Sequence, residues 1–517
     1  MFQPIISTMD SGTSPVLTAS ILVVVTIGLL LLKGQRNKLP HVNPIGIASL
    51  QFQKQLEFIK DGLKILERGR SKYLGQPFRM LTTNGELTVL PPEYANMIRN
   101  ETGLSFAKAI VNDFSTHVPG FDPIAVIDHN SHVVQDVARK QLTKLLNTVT
   151  EPLAQETTFA VHHIFGNSLE WQQAPLADSI LNLVARLSSR VFLGEELCRD
   201  EEWLAITKEY TVDGFRAAVE LAIVPQFLKF LLPLFSSKCQ VVRRKANRAR
   251  EIITPVIENR RALKNKARLE GKPIPSFNDA LDWGETETKG MKYNPADFQL
   301  TLAFAAIHTT SDLLCKTLGL LAEHPDSFKP LREEMITVLK QDGWKKSALY
   351  NMKLLDSTLK EAQRVRPNSL LSMRRVATKD VKLQNGFTIR RGENSMVDAR
   401  ASQDPTIFPE PEKFDIYRFL RMREQPQGAN KAQLVATSPE HIHFGHGTQA
   451  CPGRFFAANE MKIALCHLLL KYDWELAPGS TSEPVNFGVD FSVNPETQIR
   501  FKRREIVDID LESLVFD

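Results

Sequence analysis

Cysteine is scarce in this chain and poorly placed for most of its usual uses. Five cysteines (Cys198, Cys239, Cys315, Cys451 and Cys466) are spread over 517 residues. An odd count without C-x-x-C spacing argues against a disulfide scaffold or a thiolate zinc site and for a reducing compartment. An excess of charge of one sign is also lacking. Lys and Arg number 64 against 59 Asp and Glu, a net +5 with a pI of about 8.8. So diffuse a surplus leaves no footprint for nucleic acid. There is no internal repeat and no low-complexity tract. What is present is 43% apolar residues, ample for one large domain or two subdomains.

Val16 to Leu32 (VLTASILVVVTIGLLLL) carries no charge, and its length sits at the short end of a membrane span. The only charge upstream is Asp10, whereas Lys33, Arg36 and Lys38 lie downstream. A cleaved signal peptide needs the opposite arrangement. By the positive-inside rule the N-terminus faces the lumen and the rest faces the cytosol. The expected order is a lumenal N-terminus over 1–15, a transmembrane anchor over 16–32, a basic hinge over 33–48 stiffened by Pro40 and Pro44, and a cytosolic domain over 49–517. The sequon Asn100-Glu101-Thr102 would then be cytosolic and unglycosylated. A second apolar run, Leu221 to Phe235, is broken by Pro225 and Pro233. It reads either as a buried helix and loop or as a segment dipping into the membrane face.

The body is mostly helical in pattern. Lys238 to Lys266 is a basic helix whose charge reads as a solvated face, and Gly271 to Gly290 reads as a surface loop. Asn294-Pro295-Ala296-Asp297 supplies a cap, a proline at the first helical position and an acid in the first turn. The helix can run to about Glu323, where His324-Pro325 stops it; thirty residues span about 45 Å. Its middle, LAFAAIHTTSD, is small and apolar, with Thr309 and Thr310 embedded. This pattern suits a core helix, and Ala305-Ala306 also lets a flat ligand come close. In STLKEAQRVRP, Glu361 and Arg364 share a helix face; alone, such pairs are usually surface decoration. PEPEKFDIYRF places Arg418 in an aromatic-rich loop. Asn385-Gly386 between alternating residues predicts a hairpin.

FGHGTQACPGRFF, residues 444 to 456, holds the cysteine with most to explain. Pro452 and Gly453 lead into a helical run, so the Cys451 sulfur would sit at the positive end of a helix. A thiolate so stabilised suits a nucleophile or a single axial metal ligand. A nucleophile needs a base, and His443 and His446 are near in sequence. The glycines at 445, 447 and 453 instead offer clearance for a flat macrocycle against the loop.

F-x-x-G-x-x-x-C-x-G, filled by Phe444, Gly447, Cys451 and Gly453, resembles the haem-binding loop of the cytochrome P-450 superfamily. The helix with Thr309, the E-x-x-R pair and the aromatic–arginine loop follow that family's order over residues 40 to 505. AAIHTTS is similar to fungal members that oxidise terpenoids and indole-diterpenes.

The resemblance implies a mainly α fold with a small β-region, haem b with Cys451 as axial thiolate, and a monooxygenase. Electrons would come from NADPH through a separate reductase, possible help from cytochrome b5 included. The chain would sit on the endoplasmic-reticulum membrane with a small hydrophobic substrate and no nucleic acid. Thr309 would hold dioxygen or a proton-relaying water. His308 stands where the family usually has an acid; it could relay protons or turn away. Glu361, Arg364 and Arg418 would form the buried triad that retains the haem. Arg375 would pair with a propionate, with Lys140, or Arg139 beside it, as a second contact. Gln449 replaces the usual Arg or His and predicts a weaker propionate bond. Phe304, Ala305, Leu370, Leu371 and Phe491 would line the substrate pocket. Two rival readings are a haem-thiolate isomerase or dehydratase without a reductase, and a non-catalytic haem sensor.

Overall fold

Capping side chains set where the chain divides into helices in this computed structural model, which describes residues 39–45, 51–224, 232–506 and 508–516. Helices of seven residues or more run in the order α1 (Gln51–Lys72), α2 (Phe106–Asp113), α3 (Leu146–Phe165), α4 (Leu176–Leu193), α5 (Glu201–Ile223), α6 (Ser237–Leu269) and α7 (Ala280–Glu287). They continue with α8 (Pro295–Glu323), α9 (Phe328–Asp342), α10 (Lys353–Val365), α11 (Arg418–Glu424) and α12 (Arg454–Lys471). The strands are β1 (Phe78–Thr82), β2 (Gly85–Leu90), β3 (Leu104–Ser105), β4 (Gln172–Pro175), β5 (Leu371–Ala377), β6 (Val381–Lys382), β7 (Thr388–Ile389) and β8 (Asn394–Asp398). β9 (Tyr472–Leu476), β10 (Val485–Phe487), β11 (Asp490–Ser492) and β12 (Gln498–Arg503) complete the set.

α8 begins as its sequence predicts. Asn294 Oδ1 accepts from the N–H groups of Ala296 at 2.9 Å and Asp297 at 3.3 Å. Apolar residues occupy nearly every side of α8, so it is buried on most faces. It packs against α4, α5, α6 and α10. Buried side chains of α3, α4, α8, α9 and α12 merge into one core cluster. A smaller cluster joins α1 to the sheet through Phe58, Leu66, Leu87 and Leu371. That sheet has the order β1-β2-β8-β5-β3, with β2 and β8 parallel and the other pairs antiparallel. The predicted hairpin is β6–β7, with Gly386 at φ +84° in its turn.

Two expectations are corrected. The stretch read as a loop from Gly271 contains α7, capped by the Asp279 side chain on Asp282 N–H at 3.0 Å. Ala280, Leu281 and Trp283 are buried, so this short amphipathic turn is held by packing. The basic face of α6 is not simply solvated. Lys245 pairs with Asp213 at 2.5 Å, Arg248 with Glu202 at 2.6 Å, Arg250 with Asp297 at 2.8 Å and Arg260 with Asp279 at 2.7 Å. Its cations thus fasten α6 to α5, α7 and α8.

The proposed anchor over 16–32 lies outside the described residues, as do residues 225–231 of the Pro-broken run from Leu221 to Phe235. Among the described residues no helix is long and apolar enough to cross a membrane. The described part of the hinge is stitched to β1. Val42 N–H donates to Arg79 O at 2.9 Å, and Asn43 Oδ1 accepts from Leu81 N–H at 2.8 Å.

Candidate active site

The Cys451 loop is closed by backbone bonds. Cys451 N–H donates to Phe444 O at 2.7 Å and Ala450 N–H to Gly447 O at 3.1 Å. α12 starts at Arg454 with Gly453 as its cap. Burial pushes the Cys451 thiol up; the Gly453 N–H, the Arg454 charge and the Arg454 N–H oppose that, so the helix start favours the thiolate. Cys451 lies deep among protein atoms, yet it is exposed.

The glycines of the loop have different reasons from the one expected. Gly447 has φ +81°, and a Cβ there would lie 2.3 Å from Arg99 O. Its missing side chain makes room for neighbouring backbone. Gly445 turns the chain at φ +70°. At Gly453 alone of the three a Cβ would meet open space. Thr448 N–H bonds Arg99 O at 3.1 Å and Asn100 Oδ1 at 3.2 Å, so the sequon asparagine braces the loop. The candidate bases are occupied elsewhere. His446 lies 3.1 Å from Thr437 Oγ1 and 3.3 Å from Asn96 Oδ1. His443 is pushed down to about 3, by burial first and then by the charges of Arg364, Lys360 and Lys316. Neither favours a nucleophilic cysteine.

On α8, Ala305 and Thr309 are exposed while Ala303, Ile307 and Thr310 around them are buried. Four residues apart, the exposed pair shares one face of α8. Thr309 Oγ1 donates to Ala305 O at 3.0 Å and Ala306 O at 3.3 Å. Its lone pairs stay available to a guest. His308 turns the other way, with Nε2 2.8 Å from Lys208 O on α5. Burial lowers its pKa, against the pull of that carbonyl and of Asp312.

Arg375 is the most informative cation. β5 breaks register between Ser372 and Arg375, with Met373 at φ +54°. This bulge sends consecutive arginines in different directions. Arg374 grips Asp113 through two bonds of 2.9 and 2.7 Å. Arg375 is 1% exposed; its Nη1 donates to Arg374 O at 2.7 Å, while Nε and Nη2 have no partner among the described residues. Burial alone pulls its pKa down to about 10. A buried cation with free donors calls for an anion. Together with the open sulfur and the open side of Gly453, it fits a haem whose propionate meets Arg375.

Two expected haem contacts are placed differently. Lys140 Nζ binds Asp136 at 2.7 Å and Glu287 at 3.2 Å. The loop contact comes from Arg139, whose Nη2 donates to Thr448 O at 2.6 Å. Val137–Leu142 is a π-helix, which rotates the facing residue by a step that α spacing does not anticipate. Gln449 is already committed to backbone: Oε1 accepts from Phe106 N–H at 2.8 Å and Nε2 donates to Leu104 O at 2.7 Å.

The triad assembles as a closed unit. Arg364 donates to Glu361 at 2.8 and 2.7 Å, and Arg418 Nε to Glu361 Oε1 at 2.9 Å. Their other guanidinium nitrogens reach carbonyls, among them Ser402 at 3.1 Å and Pro409 at 2.6 Å. Among the pocket candidates, Phe304 is half-buried beside Ala305. Leu371 is 1% exposed and packs, with Leu370, into the α1–sheet cluster; strand alternation sends Leu371 into the core. Phe491 is half-buried, and its carbonyl accepts from Lys316 Nζ at 3.1 Å. Lys316, unremarked in the sequence, also pairs with Asp312 at 2.7 Å inside α8. Its i, i+4 spacing was the available signal.

The cytochrome P450 family profile matches residues 69–502. The cytochrome P450 monooxygenase hepE of Aspergillus oryzae is 44% identical over 90% of this chain and 86% of its own length. The cytochrome P450 monooxygenase calE of Penicillium decumbens is 40% identical over 97% of this chain and 98% of its own. The cytochrome P450 monooxygenase TRI1 of Fusarium sporotrichioides is 40% identical over 88% of this chain and 83% of its own. A retinoic-acid-bound cyanobacterial CYP120A1 shares the fold, with a TM-score of 0.65 at 18% identity, covering 90% of this chain and 99% of that one. With its cysteine loop, its opened central helix and its unpaired Arg375 in place, the chain belongs to the cytochrome P450 family and is a monooxygenase.

Proposed function

We propose that this monooxygenase oxidises a hydrophobic, terpenoid-type substrate of fungal secondary metabolism, using O2 and electrons passed from NADPH by a separate reductase. The observation that carries the substrate class is the wall beside Thr309. Phe304 meets Phe114 edge-on at 5.1 Å and stacks on Phe215 at 5.7 Å, with Ala305 open next to them. Such a wall binds a bulky apolar body and gives it little polar grip. The AAIHTTS resemblance supports the same class.

When bound through Cys451, the haem supplies the power to insert oxygen into an unactivated C–H bond. The chain's own residues do the rest. Gly453 and Arg454 N–H groups favour the thiolate form of Cys451. Arg375, with Nε and Nη2 unpartnered among the described residues, would hold a propionate of the group. The Thr309 hydroxyl, free to accept, orients a water or the incoming oxygen and passes a proton at Oγ1. Phe304 and Ala305 hold the substrate carbon near that hydroxyl and exclude bulk water.

The anchor reading over residues 16–32 supports attachment to the endoplasmic-reticulum membrane, where a membrane-bound reductase would be at hand. The test is expression in yeast membranes with a reductase and a panel of terpenoids. NADPH-dependent products carrying one oxygen atom from O2 are expected. Product formed without NADPH, or preference for polar substrates over terpenoids, overturns the reading.

A further inference from the structure

His308 adjoins Thr309, but its Nε2 donates to the Lys208 carbonyl of α5 at 2.8 Å. One turn earlier on α8, Phe304 stacks on Phe215 of α5, the planes 20° apart. Phe114, just past α2, closes edge-on against Phe304 at 5.1 Å and Phe215 at 5.0 Å. Phe304 and His308 are one turn apart on α8, and Lys208 and Phe215 two turns apart on α5, so each pair lies on one helix face. The bond and the stack therefore belong to one seam. Phe215 is 53% exposed and Phe114 5%, and Ala305 and Thr309 are exposed beside them on α8. The seam lies beside the reacting position, one residue from Thr309.

We propose that His308 is a positioning residue: with the Phe215–Phe304 stack it latches α5 over the Thr309 turn, and it moves no protons. A backbone carbonyl neither gives nor takes a proton at neutral pH. A ring whose Nε2–H is spent on one has no partner there to relay to. The other polar groups along the seam are committed as well. Asp312, one turn further on α8, accepts from Val493 N–H at 2.6 Å and pairs with Lys316 at 2.7 Å. The Lys208 ammonium is turned to Asn182. Latching serves the reaction by keeping bulk water from the Thr309 hydroxyl, so that electrons end in product rather than in hydrogen peroxide.

Two variants of the full chain separate a latch from a relay. His308→Ala removes the bond, whereas His308→Gln keeps an N–H donor without a titrating group. Amide hydrogen exchange of α5, read by mass spectrometry, should quicken roughly three- to tenfold in His308→Ala, the effect of losing one ordinary hydrogen bond. It should return toward the parent rate in His308→Gln. Hydrogen peroxide released per NADPH consumed should follow the same order, with the pH profile of product formation keeping its shape in His308→Gln. Phe215→Ala, on an exposed side chain, should loosen α5 in the same way and gives the readout if His308→Ala does not fold. Unchanged α5 exchange in the two alanine variants overturns the latch. So does a His308→Gln protein that is as uncoupled as His308→Ala and loses a limb of its pH profile.

Discussion

Two buried arginine sites precede the cysteine loop in sequence and differ in one respect. Around Glu361, every guanidinium nitrogen of Arg364 and Arg418 donates to a carboxylate or a carbonyl. At Arg375 only Nη1 does. Burial is alike, 0% exposure for Arg364 and 1% for Arg375, so exposure does not separate them. Satisfaction does. A saturated cluster is finished by the chain itself and holds the fold; an unsaturated one is finished by something else. The Glu361 cluster is therefore scaffold, whereas Arg375 keeps donors free for the proposed haem propionate.

Breaking the saturated side should have the largest effect. Glu361→Gln leaves two arginines without their carboxylate in a fully buried site. A loss of about 3–5 kcal/mol is expected, seen as a lower denaturation midpoint in cofactor-free and haem-loaded protein alike. If only the loaded form weakens, the triad acts on the haem and the comparison fails.

Acid attacks the same region by another route. His443, which faces Arg364 and Lys360, and His467, stacked on Trp344, are both pushed down to about 3 from an ordinary 6.5, chiefly by burial. Between those values the unfolded chain binds protons that the folded chain refuses. Stability contributed by these rings is fully present above pH 6.5 and falls as pH drops toward 3. Denaturant midpoints measured across that window should decline steadily, and a flat profile would contradict the burial of both rings.

The unsaturated side should behave in the opposite sense when no haem is bound. Arg375→Met removes a buried, largely unpaired charge at similar volume. Cofactor-free protein should gain about 1–3 kcal/mol, while haem loss to a scavenging protein speeds up. Triad and Arg375 variants then separate cleanly: one set weakens both forms, the other only the loaded form.

What was legible in the sequence was what is local. The cysteine loop, the Asn294 cap and the Asn385-Gly386 hairpin depend on residues within a few positions, and each stands where its spacing puts it. Features set by distant partners were not. Gly447 is glycine because Arg99 backbone crosses it, α6 is basic because acids of α5, α7 and α8 face it, and α7 exists because Trp283 finds a core. Arg139 outranks Lys140 because of a π-turn. The unpaired state of Arg375 needed the bulge at Met373, which no residue pattern announces.

The smallest effect, and the sharpest for the loop itself, concerns Gln449. Its position suggested a neutral substitute for a propionate-binding cation, so that arginine there would tighten haem. The structure gives the amide another task. Oε1 accepts from Phe106 N–H at the first turn of α2, and Nε2 donates to the β3 carbonyl of Leu104. One side chain thereby ties the residue two before Cys451 to the segment leading into Phe114. Arginine brings donors but no acceptor, so Phe106 N–H loses its partner. Gln449→Arg should cost about 1–2 kcal/mol and loosen haem, and Gln449→Leu should do the same without adding charge. If the arginine variant instead retains haem longer than the parent while leucine does not, charge outweighs the clamp, and Gln449 falls on the unfinished side with Arg375.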